Sequence, residues 1–342
     1  MAFTKEQMEI YDIIDKAVAC KTGLDDADVL KLYSVDPLSR EGYAIKQAAH
    51  MMSLEATNGK AEAHGQIGLN ASPCGKKCKF CSFASCNKVR TERYELDPED
   101  IKYYVDHYEK EGANLILLLC TATYKFEKLL QMVETARTYM DADMPLLVNS
   151  DDMTLEQAKA LKAAGANGAY HAVRMREGED TGIPVEKRMA TFANLEAAGL
   201  SLSTCVEPIG PEHTPAELVE ATRRCINSHA NSAGCGRRIT VPGTIMALEG
   251  RGQLSDVQNA LNIAVYRLAT GLKPALNCAA STPIAMSSGA NLGWAEVGTN
   301  PRDTVERTEN GGRGNDIAKY KRDFANAGWE FLEGYSKGWI LD

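Results

Sequence analysis

The stretch Thr154-Leu155-Glu156-Gln157-Ala158-Lys159-Ala160-Leu161-Lys162-Ala163-Ala164-Gly165-Ala166-Asn167-Gly168-Ala169-Tyr170-His171-Ala172-Val173 reads as one complete structural unit. Apolar residues at helical spacing run from Thr154 to Ala164, a glycine stands just past their end, and a short apolar strand follows over Gly168 to Val173. The same order recurs at Glu111-Gly112-Ala113-Asn114 and at Ala198-Gly199-Leu200. Working outward from these units, strands are expected at Ala63 to Leu69, Leu115 to Cys120, Pro145 to Asn149, Gly168 to Val173, Ser201 to Val206, Arg238 to Met246, Ala275 to Ala279 and Leu292 to Val297. Helices are expected between them, over Pro98 to Glu111, Phe126 to Met140, Thr154 to Ala164, Pro184 to Ala198, Thr214 to Ser228 and Asp256 to Thr270. Strands alternating with helices specify an α/β protein with a parallel sheet. Eight of them, joined by right-handed crossovers, close most simply into a (β/α)8 TIM-type barrel whose active face lies at the carboxyl ends of the strands. An open doubly wound sheet is the alternative arrangement of the same elements.

Before the barrel, residues 1–60 read as an N-terminal helical extension: Thr4 and Gln7 stand at capping-box spacing, and Met8, Ile10, Tyr11 and Ile14 recur at helical intervals. A second helix starts in Leu24 to Asp28 and a third runs from Arg40 to Ala56. The barrel takes residues 61–300, and residues 301–342 form a C-terminal loop and helix cap, with Glu309-Asn310-Gly311-Gly312-Arg313-Gly314 as a polar loop. No Pro-rich or Ser-rich linker divides the chain. With 342 residues, 44% hydrophobic and 25% charged, the composition excludes disordered and fibrous classes. No apolar run is long enough to span a bilayer, and charges are spread through the first helix, so neither a membrane span nor a secretory signal is expected and a cytoplasmic location is. A net charge of -8 lacks the basic footprint of a phosphate-backbone binder, which excludes nucleic acid and membrane surfaces as expected partners.

Ten cysteines are too many for idle packing and too sparse for a disulfide scaffold. Four fall between Cys74 and Cys86, in a segment that follows the first strand: Asn70-Ala71-Ser72-Pro73-Cys74-Gly75-Lys76-Lys77-Cys78-Lys79-Phe80-Cys81-Ser82-Phe83. The spacing is CxxxCxxC. Three thiolates so close in sequence can converge on one face of a loop, and soft sulfur ligands suit zinc or an iron-sulfur cluster. A structural zinc site asks for four protein ligands, whereas a [4Fe-4S] cluster held by three cysteines leaves one iron open for a substrate or cofactor. Two plainer alternatives are a zinc knot completed by Cys86 and a reactive-thiol loop.

This loop resembles that of the radical S-adenosylmethionine enzymes, whose CxxxCxΦC motif follows the first barrel strand with an aromatic before the last cysteine, the place of Phe80. The resemblance implies that Cys74, Cys78 and Cys81 bind a [4Fe-4S] cluster. It implies further that S-adenosyl-L-methionine chelates the open iron and is cleaved to a 5'-deoxyadenosyl radical, by chemistry that belongs to the cofactor while the protein orients it. Similarity extends over roughly residues 60 to 330, with the branch that contains biotin synthase, the radical maturase of [FeFe]-hydrogenase and methylornithine synthase. It shows in Leu119-Cys120-Thr121-Ala122-Thr123, Ala197 to Gly210, Val241-Pro242-Gly243-Thr244 and Gly289-Ala290-Asn291.

Within that resemblance Cys120, Cys205 and Cys278, on three separate strands, align at or near positions that hold a second cluster in biotin synthase, which implies an auxiliary iron-sulfur cluster of altered ligation. Buried small hydrophobes are the alternative for all three. Cys20, Cys86, Cys225 and Cys235 have only the packing reading. Arg174 and Glu177 fall where the related maturase places an Arg and a Glu on the cofactor, so Arg174 would neutralise the methionyl carboxylate. Asn149 and Ser150, at the end of the third strand, are expected to bond ribose hydroxyls, and Glu207 to bind cofactor or substrate; exposed ion pairs or helix caps are the alternatives. His171 reads as a satisfied core histidine. The favoured function is a radical enzyme of sulfurtransferase type, inserting sulfur from the auxiliary cluster into a small-molecule or carrier-bound substrate, as in biotin or lipoyl formation. It would be air-sensitive and draw electrons from a donor such as ferredoxin or flavodoxin. The alternatives are carbon-skeleton rearrangement or metallocofactor maturation without sulfur insertion and, in a different class, a zinc-stabilised barrel binding protein.

Overall fold

The computed structural model describes residues 4–71, 73–279, 282–304, 308 and 315–339. The expected polar loop Glu309 to Gly314 lies outside them, as does Ser72 of the cysteine loop. Three helices come first, α1 (Lys5–Cys20), α2 (Asp26–Tyr33) and α3 (Arg40–Thr57), and Thr4 and Gln7 close the capping box on α1. The alternating part begins β1 (Lys60–Gly68), α4 (Pro98–Glu111), β2 (Ile116–Leu119), α5 (Phe126–Tyr139), β3 (Leu146–Asn149), α6 (Leu155–Ala163) and β4 (Gly168–Tyr170). It continues α7 (Val185–Ala197), β5 (Ser201–Ser203), β6 (Val206–Ile209), α8 (Pro215–Asn227), β7 (Ser232–Arg237), α9 (Ile245–Leu248) and α10 (Asp256–Thr270). It ends β8 (Leu276–Ala279), α11 (Pro283–Met286), β9 (Leu292–Val297), α12 (Ile317–Asn326) and β10 (Glu330–Phe331).

Every strand pairing is parallel, and β1 pairs with both β2 and β9, so the sheet closes on itself. β5 and β6 both pair with β7 and act as one interrupted strand, which makes eight positions around a TIM-type barrel. Side chains alternate across the wall, as period-two strands require. On β2, Ile116 and Leu118 join the layer between sheet and helices, while Leu115, Leu117 and Leu119 point into the barrel with Leu147, Leu276 and Leu292. Trp339 closes the amino-terminal end: it is buried among those leucines, its backbone oxygen accepts from Ser201, and its indole N–H donates to Ser336. α10 is buried on nearly all sides because α3, α11 and α2 cover what the sheet does not. No helix of the described residues is long and apolar enough to cross a membrane.

One expected strand is displaced. Arg238 to Met246 reads as a strand by its apolar content, but β7 lies earlier, and residues 238–244 form a loop that leads into α9. Ser232-Ala233-Gly234-Cys235-Gly236-Arg237 has the composition of a turn because the barrel is tight at this point. A Cβ on Gly234 would sit 2.1 Å from the Cys278 backbone oxygen. The strand expected through Val173 ends at Tyr170, and that expected over Ser201 to Val206 is broken at residues 204–205 and runs on to Ile209.

Candidate active site

The cysteine loop leaves the carboxyl end of β1, and hydrogen bonds fix its start. Leu69 N–H donates to Leu119 O at 2.7 Å, and the Asn70 side chain bonds both the backbone N–H and the hydroxyl of Thr121, at 2.8 and 2.9 Å. Cys74 N–H donates to Phe83 O at 2.6 Å, and Ser85 N–H to Cys74 O at 2.9 Å, pinning the two limbs together. Between them Cys81 N–H donates to Cys78 O at 3.1 Å in a tight turn. The Asn87 amide donates to both Cys78 O and Cys81 O, at 3.0 and 2.7 Å, and its oxygen accepts from Ile245 N–H at 3.0 Å. The loop is also tied to its neighbours at the same mouth: Lys79 N–H bonds Asp180 O, Met246 N–H bonds Lys79 O, and Ser82 N–H bonds Pro301 O. The buried Asp180 carboxylate receives Lys79 and Arg251, each at 3.1 Å.

Cys74 is buried and Cys78, Phe80 and Cys81 are half-buried. Burial pushes the Cys78 thiol up to about 11, with Arg174 partly offsetting it, and the Cys81 thiol up to about 12. Each is raised further by its neighbouring thiols, so the three sulfurs share one environment. A cation is what turns such a set into thiolates, and a metal cluster supplies it. Among the described residues no three His, Cys, Asp or Glu side chains are grouped tightly enough to hold a single metal ion. A four-iron cluster, bonded through three different irons, asks for a wider spacing. Cys86 is exposed. The donor chemistry therefore fits a [4Fe-4S] cluster on three cysteines.

The barrel holds a cavity of about 430 Å³. Arg174, one turn past β4, reaches into it and pairs with Glu207, which also accepts from the Tyr170 hydroxyl. Arg174 Nη1 lies 3.2 Å from the Tyr170 oxygen, so the three groups form one polar cluster on the β4–β6 wall. Across the cavity Glu296 of β9 pairs with Arg302 and accepts from the Asn300 amide at 2.6 Å. Asn149 lines the same space at the end of β3.

Not every expected site residue reaches this cavity. Ser150 turns its hydroxyl to Asp151 O at 3.4 Å and does not line it. Glu177 is engaged by its own loop, accepting from Arg174 N–H at 2.7 Å and the Thr181 hydroxyl at 2.5 Å and lying 3.5 Å from Arg188, so it positions Arg174 instead of facing a ligand. The expected meeting of Cys120, Cys205 and Cys278 does not occur. Cys120 follows Leu118 in alternation and packs with the layer outside the sheet, whereas Cys205 and Cys278 line the cavity inside it. A one-residue difference in phase along β2 decides the outcome. His171 is the buried, satisfied histidine expected, held 3.2 Å from Asp152.

Sequence reading missed Asn70, Asn87, Asp152 and Asp180. Only the acid doublet Asp151-Asp152 after β3 carried a visible signal. Asp152 gathers His171, Arg188 at 3.0 Å and Lys76 at 4.0 Å, and Asp151 holds Lys76 at 2.9 Å, so the cysteine loop is anchored to β3 as well.

No family model matches the sequence. Among solved structures, methylornithine synthase aligns with a TM-score of 0.77 at 18% identity, over 94% of this chain and 97% of that one. HydG, a maturase of the [FeFe]-hydrogenase, aligns with a TM-score of 0.79 at 14% identity, over 97% of this chain and 77% of that one. HydG from Carboxydothermus hydrogenoformans gives 0.74 at 14% identity over 97% of this chain. What is shared at these identities is the fold, an α/β barrel over nearly the whole of this chain.

Proposed function

We propose that the chain is a radical S-adenosylmethionine enzyme acting on a small molecule held inside the barrel. The observation that carries this reading is the CxxxCxxC loop, fixed at the carboxyl end of β1 by Asn70 and Asn87, with its Cys78 sulfur in the field of Arg174, a residue that lines the barrel cavity. The likeness to methylornithine synthase and HydG supports it at the level of fold. When bound, a [4Fe-4S] cluster at Cys74, Cys78 and Cys81 with S-adenosylmethionine would supply a 5'-deoxyadenosyl radical able to take hydrogen from an unactivated carbon. The chain's own residues orient and enclose: Phe80 flanks the last cysteine, Arg174 offers a cation for the methionyl carboxylate, Asn149 offers an amide for ribose hydroxyls, and Glu207 and Tyr170 complete that wall. A cavity of about 430 Å³ is in the range that encloses a small ligand.

The reaction class proposed is rearrangement or cofactor maturation without sulfur insertion, because Cys120 stands outside the barrel wall and leaves only Cys205 and Cys278 of the expected auxiliary set inside. A low-potential iron-sulfur or flavin protein such as ferredoxin or flavodoxin is proposed as electron donor. Anaerobic reconstitution followed by iron and sulfide analysis tests this reading. About four irons per chain are expected, given four per cubane. About eight would restore the auxiliary cluster and the sulfurtransferase function, and zinc in place of iron would overturn the radical reading.

A further inference from the structure

Three cysteines line the cavity; Cys235 turns its sulfur to the Tyr33 hydroxyl, 4.0 Å away, while the other two, Cys205 and Cys278, have no part in binding the cluster or its cofactor, and the role inferred for them rests on the radical function proposed for the chain. Cys205, between β5 and β6, and Cys278 of β8 both line the cavity that holds Arg174 and Asn149. The strand between them offers little obstruction: a Cβ on Gly236 of β7 would lie 3.6 Å from the Cys205 sulfur, and glycine leaves that space open. Tyr170 and Trp294 pack with Cys278 on the interior face, and the Trp294 side chain hydrogen-bonds its sulfur. Neither thiol is in a disulfide. The Cys205 thiol feels its Cys278 neighbour, and burial favours the neutral S–H form in both.

A neutral thiol in an enclosed site has one chemistry that a thiolate lacks. Its S–H bond is weaker than an alkyl C–H bond, so it gives a hydrogen atom to a carbon radical. We propose that Cys205 and Cys278 are the hydrogen-atom donors to carbon-centred radicals generated in this cavity. In the step the S–H bond breaks homolytically, its hydrogen atom forms the new C–H bond, and sulfur is left as a thiyl radical. One electron from the low-potential iron-sulfur or flavin donor and one proton from solvent return it to the thiol. Such a donor lets a reaction end at a reduced product without returning the hydrogen atom to the cofactor.

Two readouts test the pair, one of which needs no loaded enzyme. In cluster-free protein treated with N-ethylmaleimide and mapped by mass spectrometry, Cys278, half-buried on the cavity wall, is expected to be modified faster than Cys235, which is fully buried against Tyr33. Equal or slower modification would overturn the placement of Cys278 as an accessible donor. The second readout uses reconstituted protein equilibrated in D2O and given S-adenosylmethionine and dithionite without substrate. The 5'-deoxyadenosine released by the wild type is expected to carry deuterium drawn from S–D, and the Cys205→Ala/Cys278→Ala double variant to lose it while still releasing the nucleoside. Label that survives in the double variant overturns the proposal while leaving the radical enzyme intact. No 5'-deoxyadenosine from any protein overturns both.

Discussion

Asn87 carries no cluster chemistry of its own, yet it holds two cysteines in place by bonding Cys78 O, Cys81 O and Ile245 N–H at once. Replacing it by Ala removes three hydrogen bonds, leaves the Ile245 N–H without its partner and is expected to cost roughly 2 kcal/mol. The sharper consequence is at the loop: Asn87→Ala should retain less iron after reconstitution than wild type, and unchanged iron content would show that the loop sets its own shape. Asp152 makes a second residue-scale case through pH. Burial alone would raise its carboxyl, but the His171 hydrogen bond and the charges of Arg188 and Lys76 outweigh that and hold it at about 2. The unfolded chain, with its carboxyl near 3.8, therefore takes up this proton first, so the stabilisation is complete above pH 3.8 and is lost as pH falls toward 2. His171 acts in the same direction at higher pH. Burial lowers its pKa, the unfolded chain protonates first, and stability declines as pH drops below 6.5. The melting midpoint of the apoprotein should fall on acidification in those two windows, and Asp152→Asn should lessen the fall in the lower one, to which Glu212 and Glu217 also contribute, at a cost of about 2 kcal/mol, since Arg188 loses its 3.0 Å partner and keeps Glu177 at 3.5 Å. A midpoint that is flat between pH 7 and 5 would contradict the buried neutral histidine.

At the scale of elements, the seam between β1 and β9 decides where the cysteine loop begins. Gly68 passes so close to Thr299 that a Cβ would meet its backbone oxygen at 1.9 Å, and backbone cannot step aside as a side chain would. Gly68→Ala is expected to destabilise the fold by about 3 kcal/mol or more, read from urea unfolding, and an innocuous Ala would mean that the seam is slack. Close approach of this kind also explains what could be read from sequence and what could not. α10 and β9 were legible to the residue because each carries a clean apolar pattern bounded by Ser255 or Asn291. β7 was not, since Gly234 and Gly236 are chosen for lack of bulk and look like a turn when read alone. The same limit governs the site. Cys74, Cys78 and Cys81 announce themselves by spacing, whereas Asn87 and Asp180 act on the loop from a distance that only folding sets. Cys120 was misplaced because its strand could be located without fixing which face of it was inward.

The molecule as a whole is a barrel with a closed floor and a functional roof. Among the described residues Trp339 and the leucines around it fill the amino-terminal end, and residues of the loops that follow the strands, such as Arg174, Asn300 and Arg302, line the cavity. Trp339→Ala is expected to cost about 3–5 kcal/mol and to let water into the interior. Quenched Trp294 fluorescence in the variant would report that entry, and unaltered stability would deny that the floor is built on this side chain. On the roof, five separate anchors hold the cysteine loop: Asn70 to the end of β2, the Lys76–Asp151 pair to β3, Asp180 from beyond β4, Ile245 and Met246 of α9, and Pro301 from beyond β9. A loop so restrained serves a cofactor that must be presented to the cavity in one orientation. Reductive cleavage of S-adenosylmethionine tests that conclusion most directly. Reconstituted without air and reduced with dithionite, the wild-type chain should release 5'-deoxyadenosine, and the Cys74→Ala/Cys78→Ala/Cys81→Ala variant should release none. Equal release from both proteins, or none from a wild type that carries its full complement of iron, would contradict the assignment of this loop as the seat of a radical-generating cluster.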